Sequence, residues 1–477
     1  MKSISLFFAL LALITLAVQL PAPAQIVSTV HSFAGSDASY PQAGLVLSGN
    51  TLYGTGSAGG SADLGAVFKV NTDGSGFANL HSFMGGSTGN LPLAGLVLAG
   101  NTLYGTADQG GSGGNGTVFK LNTDGTAFTN IYSFTVANGP LFTNSDGIGP
   151  DAGLVLSGNT LYGTAAVGGS SDNGTMFKVN TDGTGFATLY SFTAITPPSC
   201  AGGTNSDGSG PCGGLVLSGN TLYGAADNGG SAGNGTVFKV NIDGTGFATL
   251  HSFTAAKWTG INGVFEVYTN SDGANPTVGL VVSGDTLYGT AYQGGSAGYG
   301  TVFKVNTDGT GFATLHSFTA FSATTPQTNS DGALPLAGLI LSGRTLYGTA
   351  SCGGSGGLGT VFKVNTDGTG FATTCTFTKR SDGVRSCGSM VLLGNTLFGT
   401  AEYGGSAECG TVFALHLSIP LNVQMLANAL VLSWNDPTFA LQAAPFASGS
   451  FTNIPGATSP YTNTTTGPQM FFRLLAK

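Results

Sequence analysis

Charge is what this 477-residue chain most lacks, since Asp, Glu, Lys and Arg together make up 8% of it. With 14 Lys and Arg against 22 Asp and Glu, the formal net charge is -8, and the basic footprint of a nucleic-acid binder is missing. Only three glutamates occur, Glu266, Glu402 and Glu408, so a paired-carboxylate glycosidase would have to recruit aspartates. Long apolar runs are scarce too: beyond Leu6 to Leu20, no stretch approaches the roughly 20 residues of a membrane span. What is abundant is glycine, 80 residues, far above the usual share of about 7%, and such a chain is not mostly helical. A hydrophobic content of 41% with 31 Phe and 14 Tyr still supplies a packed core and argues against disorder. These proportions describe a glycine-rich, mildly acidic, all-β globular protein.

The start reads as an export signal: Met1 and Lys2, the apolar run Leu6 to Leu20, then Pro21-Ala22-Pro23-Ala24-Gln25. Residues 1–24 are the expected signal peptide, which makes the mature chain secreted or cell-surface associated, with the periplasm as the other exported location. No Cys follows the cleavage point, so no lipid anchor is expected there. Six cysteines remain, and export makes disulfides compatible with them. Cys200 and Cys212 share one short Gly/Pro/Ser-rich insertion and are the expected local bridge. Cys352, Cys375, Cys387 and Cys409 allow two more bridges whose pairing is open. No C-x2-C pair with a nearby His favours a metal site instead.

Repeats decide the fold. Leu-Tyr-Gly-Thr or a close variant recurs seven times, with its aromatic at Tyr53, Tyr104, Tyr162, Tyr223, Tyr288, Tyr347 and Phe398. A second string, Gly-Thr-Val-Phe-Lys-Val, places its Phe 15 residues later each time, at 68, 119, 177, 238, 303, 362 and 413. A third, His/Tyr-Ser-Phe, ends 15 residues further on at Phe83, Phe134, Phe192, Phe253, Phe318 and Phe377. Within a unit, short strands alternate with Gly-Asn and Asp-Gly turns, which predicts four antiparallel strands per unit. Repeated four-stranded units read as propeller blades. The seventh unit lacks its fourth strand, while Ile26 to Phe33 matches that strand at the other end of the chain. Joining the two would close a seven-bladed ring over residues 25–418; an open solenoid would want caps instead of a split unit.

The unit from Leu287 to Gly309, Leu-Tyr-Gly-Thr-Ala-Tyr-Gln-Gly-Gly-Ser-Ala-Gly-Tyr-Gly-Thr-Val-Phe-Lys-Val-Asn-Thr-Asp-Gly, closely resembles the Gloeobacter/Verrucomicrobia (GloVer) tandem repeat of exported bacterial proteins. The resemblance covers roughly residues 26–418. It implies export and surface association, with a C-terminal anchoring or sorting segment, and implies no activity. Residues 419–477 show no hydrophobic span with a basic end; Leu430, Leu432 and Trp434 alternate as in a strand, which predicts a small β-sandwich-like domain.

The units differ mainly in one connection, from the third string to the next Leu-Tyr-Gly-Thr aromatic, which is 20, 21, 28, 31, 35, 29 and 21 residues long in turn. In a propeller this elaborates one face, and loops carry function. Four insertions contain Asn-Ser-Asp-Gly, with Asp146, Asp207, Asp272 and Asp331. A ring of such carboxylates could bind Ca2+ or sugar hydroxyls, whereas Asn and Asp before Gly also simply make turns. Trp258, Phe265 and Tyr268 in the longest insertion could stack on a sugar or partner, or pack the loop.

Other apparent motifs lack their context. Gly111, Gly113 and Gly116 spell a dinucleotide fingerprint, but a strand follows where a helix is needed. His31, His81, His251 and His316 share a slot that is Tyr at 132 and 190 and Cys at 375, as a structural position would. Glu402 and Glu408 read as surface residues. With no catalytic set in view, the expected function is non-enzymatic binding of a glycan or protein partner through the long-loop face, without a resident cofactor. The alternatives are an extracellular polysaccharide hydrolase or lyase, which carboxylates of raised pKa around a central channel would favour, and a structural envelope component.

Overall fold

The computed structural model describes residues 27–138, 143–196, 203–263, 265–322, 326–417, 422–426, 429–434, 439–446, 450–464 and 470–476. The expected signal peptide and Cys200 lie outside these residues. The described chain divides into two compact units, one spanning Val27–Leu415 and one containing His416–Lys477.

Val27–Leu415 is all-β and propeller-like, built from four-stranded antiparallel sheets. The first runs Val46–Ser48, Thr51–Gly56, Ala66–Asn71 and Ala78–Ser82, paired in chain order. Gly49, at φ 57°, opens the hairpin between the first two strands, and glycine at the first central position gives the type II′ turn whose twist matches the strands it joins. Five further sheets repeat this order. A seventh combines Val391–Leu393, Thr396–Ala401 and Thr411–His416 with Val27–Ser32 from the other end of the chain. In that sheet Val27 lies opposite Leu415 and Ser32 opposite Thr411.

Two glycine positions explain the repeat's spelling. Gly54, in the middle of a buried strand, faces Phe68 across the sheet; a Cβ on it would come within 2.6 Å of Phe68 Cζ and 2.8 Å of Leu45 Cδ2. Leu-Tyr-Gly-Thr therefore carries glycine because a phenylalanine ring from the next strand lies over it. Gly65 precedes the third strand, and a Cβ there would stand 2.4 Å from Cδ of Pro92 in the following unit. Gly410, in the last unit, meets Pro41 of the first at the same 2.4 Å.

The core lies between sheets. Tyr53, Val67 and Phe83 of the first unit pack with Leu96, Leu103 and Phe119 of the second. Phe398, Val412 and Ala414 from the last sheet pack with Leu45, Leu52 and Phe68 from the first. Phe33, Phe68, Phe83 and Phe119 are fully buried, each contributing on the order of 2–3 kcal/mol by area. Neighbouring units also stack rings: His31 lies on Phe77 at 3.8 Å and Tyr132 on Phe186 at 3.7 Å. The shared His/Tyr slot is thus a packing position. Its aromatic face explains why Tyr substitutes for His.

In the second compact unit, Ala429–Ser433 pairs with Asn422–Leu426 and Tyr461–Thr464, and Phe439–Ala444 pairs with Thr452–Asn453 and Phe471–Ala476. Leu432, Trp434 and Leu441 are its buried centre. Among the described residues no helix is long and apolar enough to cross a membrane.

Candidate functional site

Each repeat begins with a tight segment that, in six of seven cases, contains the proline seated on the preceding repeat's glycine. The next residue is Gln42, Leu93, Asp151, Cys212, Thr277, Leu336 or Cys387 in successive repeats. All seven line one cavity of about 420 Å³, joined by Val278, Arg385 and Glu402. The residue that follows the Ala or Gly ending each second strand forms a second set. It includes Asp108, Asp227, Tyr292 and Glu402.

On one side the cavity is acidic. Burial, then the neighbouring charges of Asp108 and Asp227, raise the Asp151 carboxyl to about 8. Burial likewise lifts Asp227 to about 6 and moves Asp108 upward. The Asp108 carboxyl lies under Gly149, and that of Asp227 under Gly210, since a Cβ on either glycine would reach its Oδ1. Asn228 donates to Asp227 Oδ1 at 2.6 Å. Asp151 Oδ1 and Thr277 Oγ1 are shielded from solvent and have no hydrogen-bond partner among the described residues. The other charged lining groups are internally satisfied: Arg385 Nη1 stands 3.2 Å from Glu402 Oε2, and Gln42 Nε2 donates to Glu402 Oε1 at 3.0 Å. Glu402, expected at the surface, is instead only 5% exposed and bonded to both of these groups. Glu408 does lie at the surface, paired with Arg380 at 2.9 Å.

The four insertion aspartates point elsewhere. Asp146, Asp207, Asp272 and Asp331 are between 2% and 5% exposed. Asp272 accepts hydrogen bonds from His251 Nε2 and the Thr254 amide, both at 3.0 Å, and from the Thr254 hydroxyl. Asp331 does the same with His316 and Thr319, while Tyr132 and Tyr190 supply the ring donor to Asp146 and Asp207. The preceding Asn is used as fully: Asn270 Oδ1 accepts from Gly273 N and Gly295 N. Each Asn-Ser-Asp-Gly ties its insertion to the fourth strand from inside. Among the described residues no group of three or more His, Cys, Asp or Glu could hold a metal ion.

Trp258 and Tyr268 face each other across a two-stranded ribbon, Lys257–Asn262 with Phe265–Thr269. Trp258 is 54% exposed and Ile261 68%, and Tyr268 Oη donates to Glu266 at 3.0 Å. Phe265 packs on Phe321 of the next insertion, so the ribbon is anchored at its base. A shallow cavity of about 180 Å³ lies beside Ile261 and Tyr299.

Cys212 and Cys387 occupy the same repeat position, whereas Cys352, Cys375 and Cys409 each occupy a different one. Among the described residues no disulfide joins Cys212, Cys352, Cys387 or Cys409, the expected partner Cys200 lying outside them, and Cys375 donates to the Thr376 carbonyl at 3.7 Å. Cys212 donates to the Gly210 carbonyl at 3.2 Å inside the shared cavity, with burial first and then Asp227 and Asp151 raising its thiol well above the ordinary value. The glycine fingerprint also has its answer: Gly116 leads into the strand Thr117–Asn122.

The cavity residues escape a linear reading of the sequence because they are scattered over all seven repeats. Their signal lies in the aligned repeats, as variable residues next to fixed Pro or at the end of the second strand.

The Gloeobacter/Verrucomicrobia repeat matches residues 16–203, 140–265, 199–328 and 259–433. The chain belongs to this repeat family. No curated protein matches it. Among solved structures it is similar to a chain of a nidogen/laminin complex, at 14% identity over 72% of this chain and 98% of that one, TM-score 0.40. It is also similar to an oligogalacturonate lyase from Vibrio parahaemolyticus, at 10% identity over 83% and 94%, TM-score 0.45. A third likeness is to the extracellular domain of a protein described as a one-component system from B. thetaiotaomicron, at 9% identity over 92% and 48%, TM-score 0.48. None of the three is close enough to carry an activity to this repeat-family member.

Proposed function

We propose that Val27–Leu415 is a closed seven-bladed propeller, exported from the cell, that binds a glycan or protein partner through the face bearing the long insertions. Closure is supported by the pairing of Val27–Ser32 with Thr411–His416 and by a cavity to which all seven repeats contribute. The observation that carries the binding reading is the ribbon. It holds Trp258 and Ile261 out in water on a base fixed by Phe265 and Phe321, and a large apolar pair left exposed on a paired ribbon marks a contact surface. Its test is glycan-array and partner-capture binding by the secreted chain and by Trp258→Ala. Selective binding lost in the variant is the expected result; equal binding by both proteins overturns the ribbon as the contact surface.

A second reading, an extracellular polysaccharide hydrolase or lyase, has one observation in its favour. Asp151 and Asp227 hold their protons to different pH values, as an acid and a base would. Release of reducing or unsaturated ends from a polysaccharide panel, abolished in Asp151→Asn, would establish it.

A further inference from the structure

The shared cavity has an electrostatic imbalance that its own side chains do not correct. Asp151 lines it, with Asp108 and Asp227 close behind under Gly149 and Gly210. The basic residue lining it, Arg385, is taken by Glu402. Asp151 Oδ1 and Thr277 Oγ1 are buried polar oxygens without a partner among the described residues, a costly condition that a hydrogen-bonding ligand would relieve. Leu93, Leu336 and Val278 make the remaining wall apolar. A volume of about 420 Å³ falls within the usual range of small-molecule sites.

We propose that this cavity binds a small organic cation, a primary alkylammonium with a short apolar stem, whose N–H groups bond Asp151 and Thr277 while its carbons lie against the leucines. A bare metal ion fits less well, since among the described residues no three acidic, His or Cys side chains stand close enough to coordinate one. A cation without N–H groups would answer the charge and leave both acceptors unbonded. The proposal is independent of the ribbon, so the two stand or fall separately.

Cation binding must also displace a proton. Asp151 keeps its carboxyl protonated up to about pH 8 when burial and Asp108 and Asp227 act on it alone, and an ammonium ion reverses that balance. Cys212, its thiol raised well above the ordinary value, and Asp227, raised by burial to about 6, act on the same carboxyl, and Asp227 loses its own proton at the lower end of this range. Affinity should therefore rise from about pH 6 to about pH 9, where an alkylamine with a pKa of about 10 is still charged.

The experiment is calorimetric titration of the full secreted chain with 1,5-diaminopentane, in two buffers of different ionisation heat, with tetramethylammonium and Ca2+ as comparators. Expected are saturable binding, proton release near pH 7, and a loss of about tenfold in affinity for Asp151→Asn, the effect of one charge-assisted hydrogen bond. Asp227→Asn, which keeps the direct contact, should weaken binding less and serves if the first variant does not fold. Undetectable diamine binding overturns the proposal. So does equal affinity in a folded Asp151→Asn, or binding of tetramethylammonium or Ca2+ as tight as that of the diamine.

Discussion

A buried set and a half-buried set of aspartates in one repeat framework have opposite electrostatics. In the insertions, burial works against the Asp272 and Asp331 anions, but hydrogen bonds from His251 and Thr254, or His316 and Thr319, outweigh it and hold both carboxyls below the ordinary value. In the shared cavity, burial acts on Asp108, Asp151 and Asp227 with few donors to oppose it, and all three rise. Partners, not depth, set the sign. The insertion carboxylates are used up as structure, whereas Asp151 retains bonding capacity for a ligand.

The largest expected effect comes from breaking an insertion brace. Asp272→Ala leaves the Thr254 amide and hydroxyl and the His251 ring without their acceptor. It should destabilise the propeller-like unit by about 3 kcal/mol in urea unfolding at pH 7. A carboxyl whose folded pKa is lowered contributes stability that is full above the unfolded value of 3.8 and lost as pH falls through the folded one. The gap between variant and parent should therefore narrow only in strong acid. An unchanged midpoint would show that Asp272 is available for another role.

The opposite change in the cavity should stabilise. With a folded pKa of about 8 against 3.8 unfolded, Asp151 binds more protons folded than unfolded, so its presence costs more stability as pH rises from about 4 to 8. Asp151→Asn should gain about 2 kcal/mol at pH 7, discounted from the full shift for partial solvent access, and nothing at pH 3.5. A loss at pH 7 would place Asp151 with the braces and end the contrast.

How much of this is legible in the sequence depends on how the information is distributed along the chain. The two 15-residue spacings and the Gly-Asn and Asp-Gly turns are local and recur, so the four-stranded unit can be read from the amino-acid order alone. The inward aim of Asp272 cannot, because it is fixed by His251, 21 residues upstream, in a slot that looks like packing alone. Glu402 looks exposed for the same reason: Gln42, which binds it, lies 360 residues away. The cavity draws its residues from all seven repeats and has no linear signature.

The smallest effect isolates the His slot itself. His251 and His316 have an aspartate, but the second repeat offers none to His81, whose Nε2 is buried without a partner among the described residues while its ring stacks on Phe128 at 3.6 Å. Burial lowers the His81 pKa to about 4. The unfolded chain then binds a proton that the folded chain refuses, so stability is lost as pH falls from about 6.5 towards 4. His81→Phe keeps the stacked ring and removes the titration. It should be nearly neutral at pH 8 and stabilising by about 1 kcal/mol at pH 4.5, read as a shift in urea midpoint. His316→Phe, which strips Asp331 of its ring donor, should destabilise at both pH values. If the two variants behave alike, the aspartate is not what distinguishes the slots, and the ring stack alone holds the insertions in place.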